Sequence, residues 1–218
     1  GMTSASPESL EQLLEIQESD KAIATLGHQK DNLPERQTIV DLAEESSILQ
    51  KKKDLVSSEL TSKEDDQQRL EDEVNAIDER VSEQEVNLYS GEVSAIKDLQ
   101  AIQGDIAGLQ ERKRLVEDQV IEVMEQIEPL RTLWESILME EQANTEQLNQ
   151  LEAALRTSEE NIEKQVEMVT KERSGLASST PSDLLEIYES IRKRSGGIAV
   201  AQLNGRTCKG CHLDLPAV

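Results

Sequence analysis

Apolar residues recur alternately three and four positions apart over most of the second half of the chain. Between Leu99 and Leu176, 17 of the 23 positions that follow this spacing, which we call the seam, are apolar. A seven-residue repeat with two apolar positions, sustained over this length, is typical of a left-handed coiled coil. The pattern therefore predicts one long helix over about residues 97–173.

The same spacing occurs earlier in the chain. Between Ile39 and Leu88, 10 of 15 seam positions are apolar, which predicts a second long helix over about residues 35–86. An apolar stretch before it predicts a shorter helix over about residues 8–31. Leu33-Pro34 separates these two helices, because the residue before a proline disfavours helical dihedral angles.

The two long helices are joined by a segment with turn chemistry, Asn87-Leu88-Tyr89-Ser90-Gly91, which predicts a reversal at about residues 87–96. At about 1.5 Å per residue, the helix before the turn spans about 78 Å and the helix after it about 115 Å. The difference corresponds to about 25 residues, roughly the length of the first helix. We therefore predict a mainly α fold, a long antiparallel coiled-coil hairpin over residues 8–173. A parallel dimer would show the same repeat, but it explains neither the turn nor the matching lengths.

Three residues of the long helix require separate interpretation. Lys113 and Glu141 are charged residues on the seam, and they either fix the register or extend their side chains to solvent; we favour the second interpretation. Pro129 lies inside the predicted helix and is expected to bend its axis, because proline removes one backbone hydrogen bond.

The composition excludes a broad globular core. The chain has 45 Asp and Glu against 23 Lys and Arg, a formal charge of −22, and its aromatic residues are Tyr89, Trp134 and Tyr188. The apolar residues are sufficient only for a narrow seam between helices. Because an acidic surface repels phosphate groups, we expect most of this surface to bind neither nucleic acid nor anionic lipid.

Targeting signals and membrane spans are not evident in the sequence. The first residues lack a basic segment followed by an apolar run, and the longest apolar stretch is far shorter than the roughly 18–20 residues that span a bilayer. Two cysteines are too few for a disulfide framework, which favours a reducing compartment. We expect a soluble, cytoplasmic protein without membrane contact.

The composition changes after residue 173, which predicts a small second module over residues 174–218. A linker at residues 174–175 is followed by a short amphipathic helix, with Thr180 as its N-cap and Pro181 at its first position. Residues 198–203 then predict a strand before a turn. From position 192 onward the sequence has five basic residues and one Asp, a local charge of +4. The basic residues are candidate phosphate contacts: Arg192, Lys193, Arg194, Arg206 and Lys209.

Cys208 and Cys211 form a Cys-x-x-Cys pair that admits four interpretations. The first is half of a zinc ribbon, which needs a second pair about twenty residues later for a four-sulfur site. The second is c-type haem attachment, because His212 follows the pair, although the chain has few aromatic residues to line a haem pocket. A redox pair requires an α/β context that the sequence does not show. The last is two incidental cysteines. We favour the zinc ribbon, with Cys208 and Cys211 as metal ligands.

The chain resembles the bacterial C4-type zinc ribbon proteins that have an N-terminal coiled-coil hairpin. The residues that carry the resemblance are Leu33-Pro34, Leu88-Tyr89-Ser90-Gly91, Lys97-Asp98-Leu99-Gln100-Ala101-Ile102-Gln103, Asp105-Ile106, Leu185-x-x-Tyr188 and Cys208-x-Gly210-Cys211-x-x-x-Leu215-Pro216. The resemblance implies a non-enzymatic protein with a zinc ribbon, described in the family as nucleic-acid binding and, in some members, as an accessory or chaperone of flagellar and secretion systems. The family places a second Cys pair after the point reached by residue 218. Zinc is thus expected in the complete protein, whereas this chain alone, with one Cys pair, should bind it poorly.

Three functions remain open, and none is enzymatic, because the sequence shows no phosphate-binding loop and no nucleophile with a plausible base. The favoured function is a protein-protein adaptor of unknown partner, which presents the hairpin tip at Leu88, Tyr89, Ser90 and Gly91. The second is nucleic-acid binding by the basic C-terminal module. The third is mimicry of nucleic acid by the acidic surface. We expect no small-molecule substrate.

Overall fold

The computed structural model describes residues 5–196, 203–204 and 207–208. Most of these residues are helical, and two short strands pair antiparallel, with Leu203 opposite Cys208. In chain order the elements are α1 (Pro7–Asp31), α2 (Pro34–Tyr89), α3 (Ile96–Ser178), α4 (Ser182–Arg194), β1 (Leu203–Asn204) and β2 (Thr207–Cys208).

Local hydrogen bonds account for the limits of α1. At its start the N–H of Ser9 donates to Oγ of Ser6 over 3.2 Å, which satisfies one of the free amides of the first turn. At its end Nδ2 of Asn32 donates to the carbonyl of His28 over 2.8 Å. Pro34 then begins α2, so the helix break lies where the sequence predicts it.

The described residues form two compact units. One comprises the residues up to Val40 together with those from Leu148 onward, and the other comprises residues 41–147. The helices α1 and α4 belong to the first unit, whereas α2 and α3 contribute to both.

Ion pairs between helices show an antiparallel arrangement in each unit. As the residue number rises on α1 and α2, the number of the partner on α3 falls. In the first unit the pairs are Asp20–Arg173 at 2.6 Å, Lys30–Glu163 at 2.9 Å and Arg36–Glu159 at 3.1 Å. In the second they are Lys53–Glu141 at 3.0 Å, Glu64–Arg131 at 3.5 Å and Asp78–Lys113 at 2.7 Å. The predicted coiled-coil hairpin is confirmed.

The buried apolar residues of the two long helices all lie on the predicted seam. In α2 they are Leu42, Leu49, Val56, Leu70, Ile77 and Val81, and in α3 they are Val116, Ile127, Ile137 and Ile162. Each is one of two apolar positions in a heptad, which is why the repeat alone was sufficient to find them.

The seam changes register near the C-terminal end of α3. The sequence places Gln165 and Glu172 on it, but both are exposed, and Val166 and Arg173 are half-buried instead. After Ile162 the inward-facing positions are therefore 166, 169, 173 and 176, at spacings of four and then three residues. The reason is that Val166 is apolar and that Arg173 has an acidic partner on α1.

The third helix is longer than predicted. It continues to Ser178, five residues past the expected end at 173, so the predicted linker at 174–175 is helical. Leu176 and Ala177 explain the extension, because they pack against a buried apolar cluster formed by α1 and α4. Burial of this face offsets the low helix propensity of the glycine at position 175.

Thr180 is not the N-cap of α4. Its Oγ1 donates to the carbonyl of Leu176 over 2.7 Å and thereby closes the end of α3. Pro181 occupies the N-cap position, and α4 begins at Ser182. The cap prediction is wrong because the threonine hydroxyl donates to a free carbonyl in the last turn of the preceding helix.

Each of the two charged seam residues pairs with a charge on the opposite helix, and each side chain keeps partial access to solvent. Nζ of Lys113 lies 2.7 Å from Oδ1 of Asp78. Nζ of Lys53 donates to both carboxylate oxygens of Glu141, over 3.0 and 3.1 Å, and lies 5.7 Å from the centre of the Trp134 ring. These contacts favour the alternative role, in which the charges help to set the register.

Two further observations concern the long helices. Pro129 lies inside α3, and the bend expected there stays a prediction. None of the described helices combines the length and the apolar character needed to cross a bilayer.

Candidate functional site

The hairpin turn is one candidate site. The helix α2 ends at Tyr89 and α3 begins at Ile96, so residues 90–95 connect them, within the predicted turn at 87–96. Gly91 has φ of +78°, a left-handed conformation that glycine adopts without steric cost. The reversal therefore depends on a residue that the sequence analysis had placed in the turn.

Ser90 stabilises this turn through its side chain. Its Oγ donates to the carbonyl of Asn87 over 3.3 Å and accepts the N–H of Glu92 over 3.3 Å. Both bonds join residues within the turn itself.

Three apolar side chains at the turn are exposed to solvent. Tyr89 is 82% exposed, Ile96 74% and Val86 66%. Val86 and Tyr89 lie three residues apart and share a face of α2. Leu88, which we had also assigned to the tip, is half-buried. We define the hairpin tip by Val86, Tyr89 and Ile96; the sequence analysis missed Val86 and Ile96, although both are apolar residues off the seam.

A second candidate site lies where α4 packs on α1 and α3. Leu184 and Tyr188 of α4 are buried against Leu13 and Ile16 of α1. Beside this apolar cluster is a group of polar side chains that we call the ionic cluster. Its members are Asp20, Arg173, Tyr188, Glu189 and Arg192.

Asp20 is the central acceptor of the ionic cluster. It is buried, and Nε of Arg173 donates to its Oδ1 over 2.6 Å, while Oη of Tyr188 donates to its Oδ2 over 2.5 Å. Nη1 of Arg192 lies 3.4 Å from the same Oδ1. The buried carboxylate is therefore paired with charge and satisfied by hydrogen bonds.

Glu189 is the second acceptor. Nη2 of Arg173 donates to its Oε1, and Nη2 of Arg192 donates to its Oε2 over 2.7 Å. The two carboxylates thus share the two guanidinium groups, and α4 is joined to both α1 and α3 by charge-assisted hydrogen bonds.

The environment changes the acidity of several members of the ionic cluster. Burial, together with the hydrogen bond to Asp20, raises the pKa of Tyr188 above its usual value of 10. Burial alone would raise the pKa of Glu189, but hydrogen bonds from Arg192 and Arg173 outweigh it and lower that pKa. The hydrogen bond to Asp20 raises the pKa of Arg173. At neutral pH Glu189 and both arginines are charged and Tyr188 keeps its proton.

The structure describes three of the five basic residues proposed as nucleic-acid contacts. Arg192 belongs to the ionic cluster and faces Asp20 and Glu189. Lys193 and Arg194 are exposed at the end of α4. Arg206 and Lys209 lie outside the described residues.

The predicted metal ligands are described only in part. The backbone of Cys208 belongs to β2, and Cys211 lies outside the described residues. Among the residues that the structure does describe, no group of three or more His, Cys, Asp or Glu side chains is placed to hold a metal ion.

Comparisons with known proteins agree with this architecture. An uncharacterized protein of Mycobacterium tuberculosis is 25% identical over 205 residues, which cover 93% of this chain and 82% of that protein. A protein structure from Mycobacterium smegmatis aligns with a TM-score of 0.83 at 21% identity, covering 98% of this chain and 88% of the other. The structure of CT398 from Chlamydia trachomatis aligns with a TM-score of 0.64 at 18% identity, covering 96% and 87%. These two likenesses show the fold. The family model of the CT398-like coiled coil hairpin domain matches residues 16–196, and the chain therefore belongs to this family.

Proposed function

We propose that this protein is a non-enzymatic coiled-coil adaptor that acts through protein-protein contacts and carries a zinc ribbon at its C-terminal end. The observation that carries the proposal is the exposed apolar hairpin tip at Val86, Tyr89 and Ile96. Several exposed apolar side chains at one turn of a charged chain are typical of interaction sites, because their burial in a complex is favourable.

The ionic cluster supports a role without catalysis. Its glutamate and its arginines are engaged with opposite charges, and its tyrosine holds its proton more tightly than usual. A general acid or base needs a pKa near the working pH and access to substrate. The pKa values of Glu189, both arginines and Tyr188 are shifted away from neutral pH, and the contacts of the cluster hold α4 in place.

The adaptor function can be tested by photo-crosslinking from the hairpin tip. Benzoylphenylalanine would replace Tyr89 in one variant and Leu55, which is 72% exposed on α2, in a matched control. We expect a discrete covalent adduct with another protein from position 89 in cells that express the chain. Val86→Ser with Ile96→Ser should reduce the yield of this adduct at least tenfold.

The control decides whether the adduct reflects a specific surface. Position 55 has similar exposure on the same helix but lies outside the hairpin tip. It should therefore give no adduct of the same mass. Equal adducts from positions 55 and 89, or none from position 89, would contradict a protein-binding role of the tip.

The second candidate function is nucleic-acid binding by the C-terminal module, and the exposure of Lys193 and Arg194 favours it. With Arg206 and Lys209 these residues would contact phosphates, while Cys208 and Cys211 would supply two of the four ligands that a structural zinc site requires. Thiolates in a Cys-x-x-Cys pair are the ligand type that structural zinc sites prefer.

Zinc content and salt-dependent titration test this second candidate together. We expect protein that carries the second Cys pair to contain bound zinc. The substitution Cys208→Ser should release that zinc. Affinity for RNA or DNA should fall at least fivefold with Lys193→Ala and Arg194→Ala, and should weaken as salt rises. Absence of binding at low salt would remove nucleic acid from the partners.

A further inference from the structure

The hairpin tip combines apolar and acidic groups in a way that restricts the partner it can bind. Its one aromatic residue, Tyr89, is the most exposed of the large apolar side chains in the described part of the chain. A tyrosine loses little conformational entropy when it is buried, because it has only two side-chain torsions, and aromatic anchors are frequent at the centres of interfaces. Val86 and Ile96 are two further exposed apolar side chains at the same turn.

Acidic residues lie close in sequence to the apolar residues of the tip. Between residues 83 and 98 the chain has four acidic side chains and one lysine, a net charge of −3. All five are exposed, and the acids are Glu83, Glu85, Glu92 and Asp98. Within the described residues none of these carboxylates takes part in an ion pair, whereas many other acids of the helices do. Their charge is therefore available to a partner.

A second exposed apolar pair shows that this combination is not general. Ile48 and Leu55, 68% and 72% exposed, also lie on α2. Between residues 44 and 59, however, three lysines accompany four acids, which leaves a net charge of only −1. The apolar character of the two places is similar, but their charge differs.

We propose that the hairpin tip binds a basic amphipathic segment of a partner protein, one whose apolar face covers Tyr89, Val86 and Ile96 and whose flanking lysines or arginines meet the acidic rim. This inference rests on the proposed adaptor function and names the chemistry of its partner. Complementary charge would orient the segment and raise the rate of encounter, and burial of the apolar side chains would provide affinity.

The same charges disfavour two other occupants of the tip. Two copies of the tip would bring like charges of −3 together, which opposes self-association. An anionic lipid surface would be repelled for the same reason. A basic protein segment satisfies both the apolar and the acidic groups.

Three synthetic peptides of 18 residues test the inference by fluorescence anisotropy. The first has leucines on one helical face and lysines elsewhere, the second has the same leucines with glutamates, and the third has the leucine and lysine residues in scrambled order. We expect the first peptide to bind at least tenfold more tightly than the other two. Raising salt from 50 to 300 mM should weaken its binding severalfold, because charges contribute to it.

Variants of the full chain locate the binding. Tyr89→Ser, and separately the combination Glu83→Gln, Glu85→Gln, Glu92→Gln and Asp98→Asn, should each lower the affinity for the first peptide at least tenfold. Matched controls remove the same chemistry from the middle of α2: Ile48→Ser with Leu55→Ser, and Glu44→Gln, Glu45→Gln, Glu59→Gln and Asp65→Asn. These should change the affinity less than twofold.

Several results would overturn the inference. Equal binding of lysine and glutamate peptides, no binding of any peptide, or equal loss in tip and control variants would each do so. Self-association that Tyr89→Ser abolishes, or tip-dependent binding to phosphatidylcholine vesicles, would assign the tip to another occupant. If the peptides fail while position 89 still crosslinks to a protein in cells, the partner chemistry is wrong and the adaptor function stands; if both fail, the adaptor function fails as well.

Discussion

Replacing Asp20 by alanine is expected to lower the free energy of unfolding of the unit that contains α1 and α4 by about 3 kcal/mol, because the loss of one partner leaves buried charges uncompensated. Asp20 accepts from Arg173 and Tyr188 and lies beside Arg192. Without it, two guanidinium groups share Glu189 alone, and the buried hydroxyl of Tyr188 loses its acceptor. The loss should exceed that of any exposed ion pair in the chain, since such pairs contribute about 0–1 kcal/mol.

Urea denaturation followed by circular dichroism, together with hydrogen exchange of residues 182–194, measures this effect. Exchange should accelerate most in α4, because the ionic cluster joins that helix to α1 and α3. Glu15→Ala provides the matched control, since Glu15 is an exposed acid on the same helix, and it should change stability by less than about 0.5 kcal/mol. A similar loss from both variants would show that Asp20 has no special role.

The sequence identified the seam because each seam position is defined by a repeat, and a repeat averages over single exceptions. Leu49, Val56 and Ile137 were found in this way and are buried together. The repeat could not show which charged residues of different helices meet, because the partners lie far apart along the chain. Lys53 and Glu141 illustrate this, since their pairing depends on the register of two helices.

The ionic cluster could have been predicted from charged residues at apolar positions of the sequence. In α1, Asp20 follows Leu13 and Ile16 at the spacing of the seam, so it is an acid on an apolar face. Arg173 is in the equivalent situation four residues after Val169. Opposite charges on the apolar faces of two helices indicate a buried pair, but the seam register assumed for α3 had placed Arg173 outside.

The hairpin turn was predicted more fully than its apolar surface. Gly91 and Ser90 have recognisable turn chemistry, and local bonds were sufficient to place the reversal. Val86 and Ile96 were missed because a pattern search for buried residues ignores apolar residues off the seam. The zinc ligands stay predictions, because of the two cysteines the described residues include only the backbone of Cys208.

Tyr188 should show the largest single loss of stability when its side chain is removed. It is almost completely buried against Leu13, Ile16 and Leu184, so Tyr188→Ala should cost about 4 kcal/mol, as for other large core side chains. Tyr188→Phe keeps the ring and removes only the hydroxyl that donates to Asp20. Because the two arginines still satisfy Asp20, this change should cost about 1 kcal/mol.

The comparison of wild type with Tyr188→Phe also has a defined pH dependence. The folded protein raises the pKa of Tyr188 above its usual value of 10, so the folded state holds this proton more tightly than the unfolded state. The stability from the hydroxyl is therefore complete below pH 10 and declines as pH rises above 10. The difference in unfolding free energy between the two proteins should stay near 1 kcal/mol from pH 7 to 9 and shrink beyond pH 10.

Absorbance at 295 nm in a Tyr89→Phe background follows the same proton directly, because Tyr188 is then the one tyrosine left in the chain. Its ionisation should begin above pH 10 and should coincide with the loss of helical signal from α4, since a buried tyrosinate beside Asp20 is unfavourable. Tyr188→Phe in wild-type background should remove this coincident step and leave the seam intact. Ionisation of Tyr188 near pH 10 with no structural change would mean that its hydroxyl is not held by Asp20, and the cohesion of α4 would then have to come from the apolar contacts alone.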